Sequence, residues 1–356
     1  MVVEHFIIFC SLLGVGLGFF QPVLKDEGLQ CANYTCKPSS MQFTNTTCAF
    51  YDNSGEQPVF YAHKCQSVKA PFCYTSFIGN STCIRSPTAP LHTAWPGEKC
   101  SYTEDCSSHA VHGCLNGVCQ GSELNESCLT HDDCNPGLRC LNQTCQPQLP
   151  VGGVGCSTDN DCVNGAGCNP SFDNPSQHSA CYPYFSISNH FPVGDCSAIN
   201  TNFLCNSGIC QTYGTVYECM NPVKSPTLPN KCQSGFDCLS TQDPYFKQSQ
   251  LIGQCVCGYN KDAQSYCSLF PGDDLAQKAM KSLVKWIQST GIQKCNTNRR
   301  FNSACIQDYW GKRDYIDYMY YSLSYQLYPL LVDAEDCVQQ TFLAGYYQAK
   351  KEYFII

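Results

Sequence analysis

Thirty-one cysteines in 356 residues constrain this chain more than any other feature. At roughly one residue in eleven, they reach the density of a disulfide scaffold and predict small stapled units instead of one large hydrophobic core. Charged residues make up only 14% of the sequence, against about 25% in an average soluble chain, which argues against a cytosolic enzyme of ordinary composition. Lys and Arg total 21 against 29 Asp and Glu, a formal charge of -8. An acidic chain has no basic stripe for nucleic acid or anionic lipid, so both are set aside.

Residues 6–20 form an uncharged apolar run that ends at Gln21, Pro22 and the charged Lys25-Asp26-Glu27. Fifteen residues span about 22 Å as a helix, short of the ~30 Å hydrocarbon layer, so the run reads as a signal-peptide core. Gly16 and Gly18 supply the small side chains that a signal peptidase reads, which sets the leader at 1–18. Glu4, with no Lys or Arg nearby, keeps an uncleaved anchor as the alternative. No stable membrane span is expected beyond the leader, and no lipid-anchor tail is legible.

Removing the leader removes Cys10 and leaves 30 cysteines, an even number suited to complete pairing in an oxidising compartment. Zinc is the competing reading, but Cys-x2-Cys never occurs and His is sparse. The expectation is a secreted or cell-surface protein with no metal and no cofactor. Five sequons agree with that route: Asn33, Asn45, Asn80, Asn125 and Asn142, all before residue 146.

The cysteines partition evenly along the chain. An N-terminal domain over 19–96 holds six: Cys31, Cys36, Cys48, Cys65, Cys73 and Cys83. Five four-cysteine units then tile 97–267, at about 97–122, 123–150, 151–190, 191–225 and 226–267. They hold Cys100, Cys106, Cys114 and Cys119; Cys128, Cys134, Cys140 and Cys145; Cys156, Cys162, Cys168 and Cys181; Cys196, Cys205, Cys210 and Cys219; and Cys232, Cys238, Cys255 and Cys257. The shared pattern is Cys-x4-Asp-Cys, a glycine turn, then commonly Cys-x4-Cys. Asp before the second cysteine suits a turn that needs amide acceptors, and Asn-Gly suits a tight hairpin. Cys267, Cys295, Cys305 and Cys337 remain for the C-terminal part, where two bridges among them are expected.

Over residues 100–168 the spacing, with its Asn116-Gly-Val-Cys119 closure, resembles the N-terminal cysteine-rich region of Dickkopf proteins and the related nematode-type EB modules. The likeness reaches at most residues 97–267. Dickkopf proteins bind their receptor through a colipase-like C-terminal domain that has no counterpart here, so Wnt antagonism is not implied.

Beyond Cys267 the periodicity changes to that of helices. Leu275, Ala276, Ala279, Met280, Leu283, Val284 and Ile287 share one face of a first helix that Gly291 stops. A second starts near Asp314 and ends before Pro329; a third runs from Asp333 with Val338, Phe342, Tyr346, Ala349 and Tyr353 on one stripe. The fold class expected is therefore a disulfide-rich array of small hairpin modules followed by a small α-helical module over 268–356. That module should fold on its own. Its ten tyrosines between Tyr309 and Tyr353 exceed what three buried stripes need, which suggests a contact surface beside the plainer reading of packing.

No His-Glu-x-x-His, Gly-x-Ser-x-Gly or phosphate-binding glycine loop occurs, and every cysteine has a partner available, so no catalytic residues are expected. The acids around Asp132-Asp133 and Asp159-Asn160-Asp161 raise calcium, but they sit at one repeated turn instead of alternating along a loop. The favoured function is a glycosylated interaction protein that binds an extracellular protein or glycan. A secreted protease inhibitor is the alternative, with exposed reactive-loop candidates such as Leu138-Arg139 inside the repeats.

Overall fold

The computed structural model describes residues 31–67, 70, 72–74, 81–84, 93–169, 179–194, 201–213, 216–240 and 251–355. The expected leader, Cys10, Asn80 and Cys196 lie outside them. The chain divides into two compact units, each drawn from separated stretches of sequence. One takes the described parts of Ala89–Pro222 and Met280–Tyr315; the other takes those of Gly16–Thr88, Val223–Ala279 and Ile316–Ile356.

In the second of these units, strands β1 (Asn33–Cys36), β2 (Thr47–Asp52), β3 (Val59–Ala62), β4 (Phe72–Tyr74) and β5 (Ser81–Ile84) form one sheet in the order β1-β3-β2-β5-β4. The β1–β3 pair is parallel and the others antiparallel. Bridges Cys48–Cys73 and Cys65–Cys83 staple it.

The other unit is a run of four repeats. Their hairpins are β6 (Gly113–Leu115) with β7 (Val118–Gln120), β8 (Leu138–Leu141) with β9 (Thr144–Pro147), and β10 (Ala166–Asn169) with β11 (Ala180–Pro183). The fourth is three-stranded, with β12 (Pro192–Val193), β13 (Cys210–Tyr213) and β14 (Val216–Cys219). The first two hairpins turn through residues in left-handed backbone, Asn116-Gly117 and Asn142-Gln143, which is what a two-residue connection between twisted strands demands. The fifth repeat, with strands β15 (Leu239–Ser240), β16 (Leu251–Ile252), β17 (Cys255–Cys257) and β18 (Ser265–Cys267), belongs to the sheet-containing unit.

Pairing in the repeats joins the first cysteine to the third and the second to the fourth: Cys100–Cys114 with Cys106–Cys119, Cys128–Cys140 with Cys134–Cys145, and Cys156–Cys168 with Cys162–Cys181. Cys205–Cys219 is the second-to-fourth bridge of the fourth repeat. Each repeat begins a little before the expected boundary. Ala94, Ser122, Leu149 and Ile187 each bridge to the second cysteine of their repeat, five residues ahead of a second bridge in the first three.

The even partition does not hold at three places. The fifth repeat closes through Cys232–Cys255 and Cys238–Cys267, so Cys267 belongs to it and not to the helices. Cys257 is thereby released to pair with Cys31, and Cys337 pairs with Cys36. Of the two bridges expected among the last four cysteines only Cys295–Cys305 forms. Even counts within a segment are compatible with exchange of partners between segments, which is why parity misled.

The C-terminal helices are α1 (Asp274–Ile287), α2 (Ser303–Tyr309), α3 (Lys312–Gln326), α4 (Tyr328–Leu331), α5 (Asp336–Phe342) and α6 (Ala344–Ile355). The first expected helix matches α1, whose apolar stripe is extended by the fully buried Trp286. The second matches α3. The third starts later than expected and is broken. Asp333 adopts left-handed backbone (φ 58°) and accepts the Tyr266 hydroxyl at 2.7 Å, and Leu343 interrupts the helix between α5 and α6. The stretch 268–356 is not one module either. Met280–Tyr315 belongs to the repeat unit and the rest to the sheet unit.

Candidate functional site

The repeated aspartate does the local work expected of it. One carboxylate oxygen of Asp105 accepts the amides of Ser101 and Tyr102; Asp133 accepts those of Leu129 and Thr130, Asp161 those of Ser157 and Thr158, and Asp237 those of Gln233 and Ser234. These amide donors hold Asp105 and Asp237 below the usual carboxylate range. Burial works against Asp133, but its His109 and amide donors outweigh burial and lower it too. The second oxygens of two of these acids are engaged with neighbours. Asp133 takes His109 Nδ1 at 2.8 Å, and Asp161 takes the Arg139 guanidinium at 3.2 Å.

Arg139 is buried in this ion pair. The Leu138-Arg139 step is therefore a strand residue pair and not an exposed reactive loop, and the inhibitor reading loses that candidate. An arginine beside a cysteine looks exposed in a small polar repeat only until a carboxylate of the next repeat covers it.

Residues 292–309 sew the first three repeats together. Asn164 donates to the carbonyls of Ile292 and Cys295, and Asn296 donates to those of Asp132 and Cys134. Arg300, 1% exposed, donates to the carbonyls of Ala166 (3.0 Å) and Asp159 (2.7 Å), to Asn160 Oδ1 and to Thr297. At the first repeat, Arg299 pairs with Glu98 at 3.1 Å, Asp308 accepts the Lys99 amide, and the Tyr309 hydroxyl donates to the Gly97 carbonyl. Gly97 has φ 94°, and a side chain there would run into the Lys294 carbonyl and the Pro136 ring.

In the sheet unit, C-terminal tyrosines pack on one another. Tyr320 stacks on Tyr353 at 4.3 Å and on Tyr346 at 6.1 Å, and Tyr321 shares a 2.7 Å hydrogen bond with Tyr353. A second aromatic cluster joins Tyr34, Phe60, Tyr259 and Phe342 between the sheet, the fifth repeat and α5. Glu335 accepts the Thr35 hydroxyl and the Cys36 amide beside the Cys36–Cys337 bridge. None of the ten tyrosines from Tyr309 to Tyr353 is exposed.

All 29 cysteines among the described residues are disulfide-bonded. Of the sequon asparagines, Asn45, Asn125 and Asn142 are exposed, and Asn33 is half-buried in β1 with its Oδ1 buried and unpartnered.

A hollow of about 640 Å³ opens on the first repeat, walled by Trp95, Glu104, Ser107, Ser108, His109 and Val111. Trp95 is held by the Arg299 guanidinium, 5.1 Å from its ring centroid, and by the His109 ring at 4.8 Å. Its amide donates to Glu98 Oε2, which also fixes the carboxylate that binds Arg299. Nothing in the cysteine pattern singles out Trp95, His109, Arg299 or Arg300. The available signal was the spacing: seven residues separate Cys106 from Cys114, and five separate the equivalent pairs of the next two repeats.

No family model matches the chain, and no solved structure matches it. Among curated proteins it is similar to Differentiation-associated protein 1 of Dictyostelium discoideum, at 27% identity over 270 residues. The match covers 67% of this chain and 55% of that protein, so the chain spans about half the length of its relative. The extensive disulfide bonding fits a secreted or extracellular protein. Among the described residues no helix is long and apolar enough to cross a membrane.

Proposed function

We propose that the chain is a secreted, N-glycosylated binding protein that works without catalysis, its stapled repeats holding a recognition surface rigid for an extracellular protein or glycan. The observation that carries this reading is the complete pairing of the described cysteines, which needs an oxidising compartment and leaves no thiol among those residues for chemistry. The engagement of Asp133, Asp161, Arg139 and Arg300 in turns and seams supports it further. Glycans belong on the exposed Asn45, Asn125 and Asn142, while the half-buried Asn33 stays bare. A part in differentiation is carried over, as a proposal, from the name of the Dictyostelium relative.

Expression of the whole chain in a eukaryotic secretory host tests the reading. The medium should contain a protein with no alkylatable thiol after denaturation and with a mass that falls on enzymatic deglycosylation. Retention in the cytosol with free thiols, or an unglycosylated product, would refute it.

A further inference from the structure

The first repeat is built differently from its neighbours in one place. After the second cysteine, the second and third repeats make a single turn, closed by the Leu138 amide on the Asn135 carbonyl and the Ala166 amide on the Val163 carbonyl. The first repeat makes the same turn, Ala110 on Ser107, and then another, Gly113 on Ala110. Val111 and His112 are its additional residues. The bridges Ala94–Cys106, Ser122–Cys134 and Leu149–Cys162 bring Trp95 into register with Glu123 and Pro150. The extra turn and the aromatic ring are thus confined to one repeat, and both wall the same hollow.

We propose that this hollow binds saccharide, and specifically a neutral pyranose. The volume lies within the range of ligand pockets, about 300–1,000 Å³. A pyranose has an apolar C–H face and a rim of hydroxyls. The residues that wall the hollow supply the complement: Trp95 with Val111 for the face, and Glu104, Ser108 and His109 for the rim. The aromatic wall is preorganised, because Arg299 and His109 hold Trp95 and Asp133 holds His109. Glu104 at the rim disfavours an acidic sugar, and the one nearby guanidinium, Arg299, is paired with Glu98.

The site rests on the reading of the chain as an extracellular binding protein, and the two fail separately. The full chain purified from medium is titrated with methyl β-galactoside, methyl β-glucoside and chitobiose, following tryptophan fluorescence; of the chain's three tryptophans Trp95 walls the hollow, so it is the responsive ring. At least one sugar should give saturable quenching with a Kd of about 1 mM, typical of a shallow site with few contacts. Trp95→Ala should weaken binding about tenfold or more. Glu104→Gln, on an exposed residue that leaves the fold untouched, should weaken it severalfold. Competition with a desialylated glycoprotein then distinguishes a glycan terminus from free sugar as the source. A properly secreted, fully bridged chain that responds to none of the three sugars overturns the site and leaves the broader reading standing. So does a response that survives in both variants.

Discussion

Arg300 shows how much a single side chain carries in a protein with so little conventional core. Its guanidinium satisfies carbonyls from the third repeat and from its own turn, at a position closed to water. Arg300→Met removes the charge but strands those acceptors, each worth about 1–3 kcal/mol when buried and unpaired. The expected loss is about 3 kcal/mol or more, read as a lower denaturant midpoint with the disulfides intact. Histidines set a pH dependence at the same scale. His112 donates to Glu126 and is raised above its usual 6.5 by that bond, so its contribution is present below 6.5 and is lost as pH climbs through the raised value. His131 is lowered, first by burial, and its Nδ1 accepts the Cys140 amide, which requires the neutral ring. Its contribution is present above 6.5 and is lost as pH falls through the lowered value. The His112 pair is solvent-screened, so His131 dominates. The Cys140 amide should exchange faster as pH falls from 7 to 5 once intrinsic rates are corrected, and His131→Gln should flatten that dependence.

At the scale of elements, the aspartate turn is the motif that most directly converts sequence into structure. Asp105, Asp133 and Asp237 are all lowered from 3.8, so the turns are stable above that value and loosen as pH drops through the lowered ones. Asp133→Asn keeps the shape but weakens the acceptor and the His109 contact. The expected outcome is faster hydrogen exchange at Leu129 and Thr130 near neutral pH, with loss of the acid sensitivity seen at those two amides. Turn and hairpin were legible because Asp, Asn and Gly act within a few residues of themselves. So were α1 and α3, whose apolar positions recur at helical spacing. The late start of α5 was not legible, because it answers to Asp333 and Glu335 bonding to Tyr266, Thr35 and Cys36, partners from 67 to 300 residues away.

At the scale of the whole molecule, the last ninety or so residues serve two units at once, which makes their independence testable. Met280–Tyr315 completes the repeats through Asn296, Arg299 and Arg300, and Cys337 completes the sheet unit through Cys36. Residues 268–356 expressed alone under oxidising conditions should therefore lack a cooperative thermal transition and should show less helicity than the intact chain. Co-refolding with residues 19–267 should restore both. A fragment that melts cooperatively by itself would contradict this assignment.

Density and spacing of cysteines determined the class of fold and the repeat, because each reflects a local demand that two dozen residues can meet alone. The tertiary structure decided what those demands leave open. It chose Cys31–Cys257 and Cys36–Cys337 over neighbouring pairs, stacked Tyr320 on Tyr353, buried Arg139, and opened a hollow beside Trp95. A disulfide can close wherever two sulfurs meet, and which ones meet is set by packing between segments far apart in the chain, a geometry that spacing along the chain does not encode.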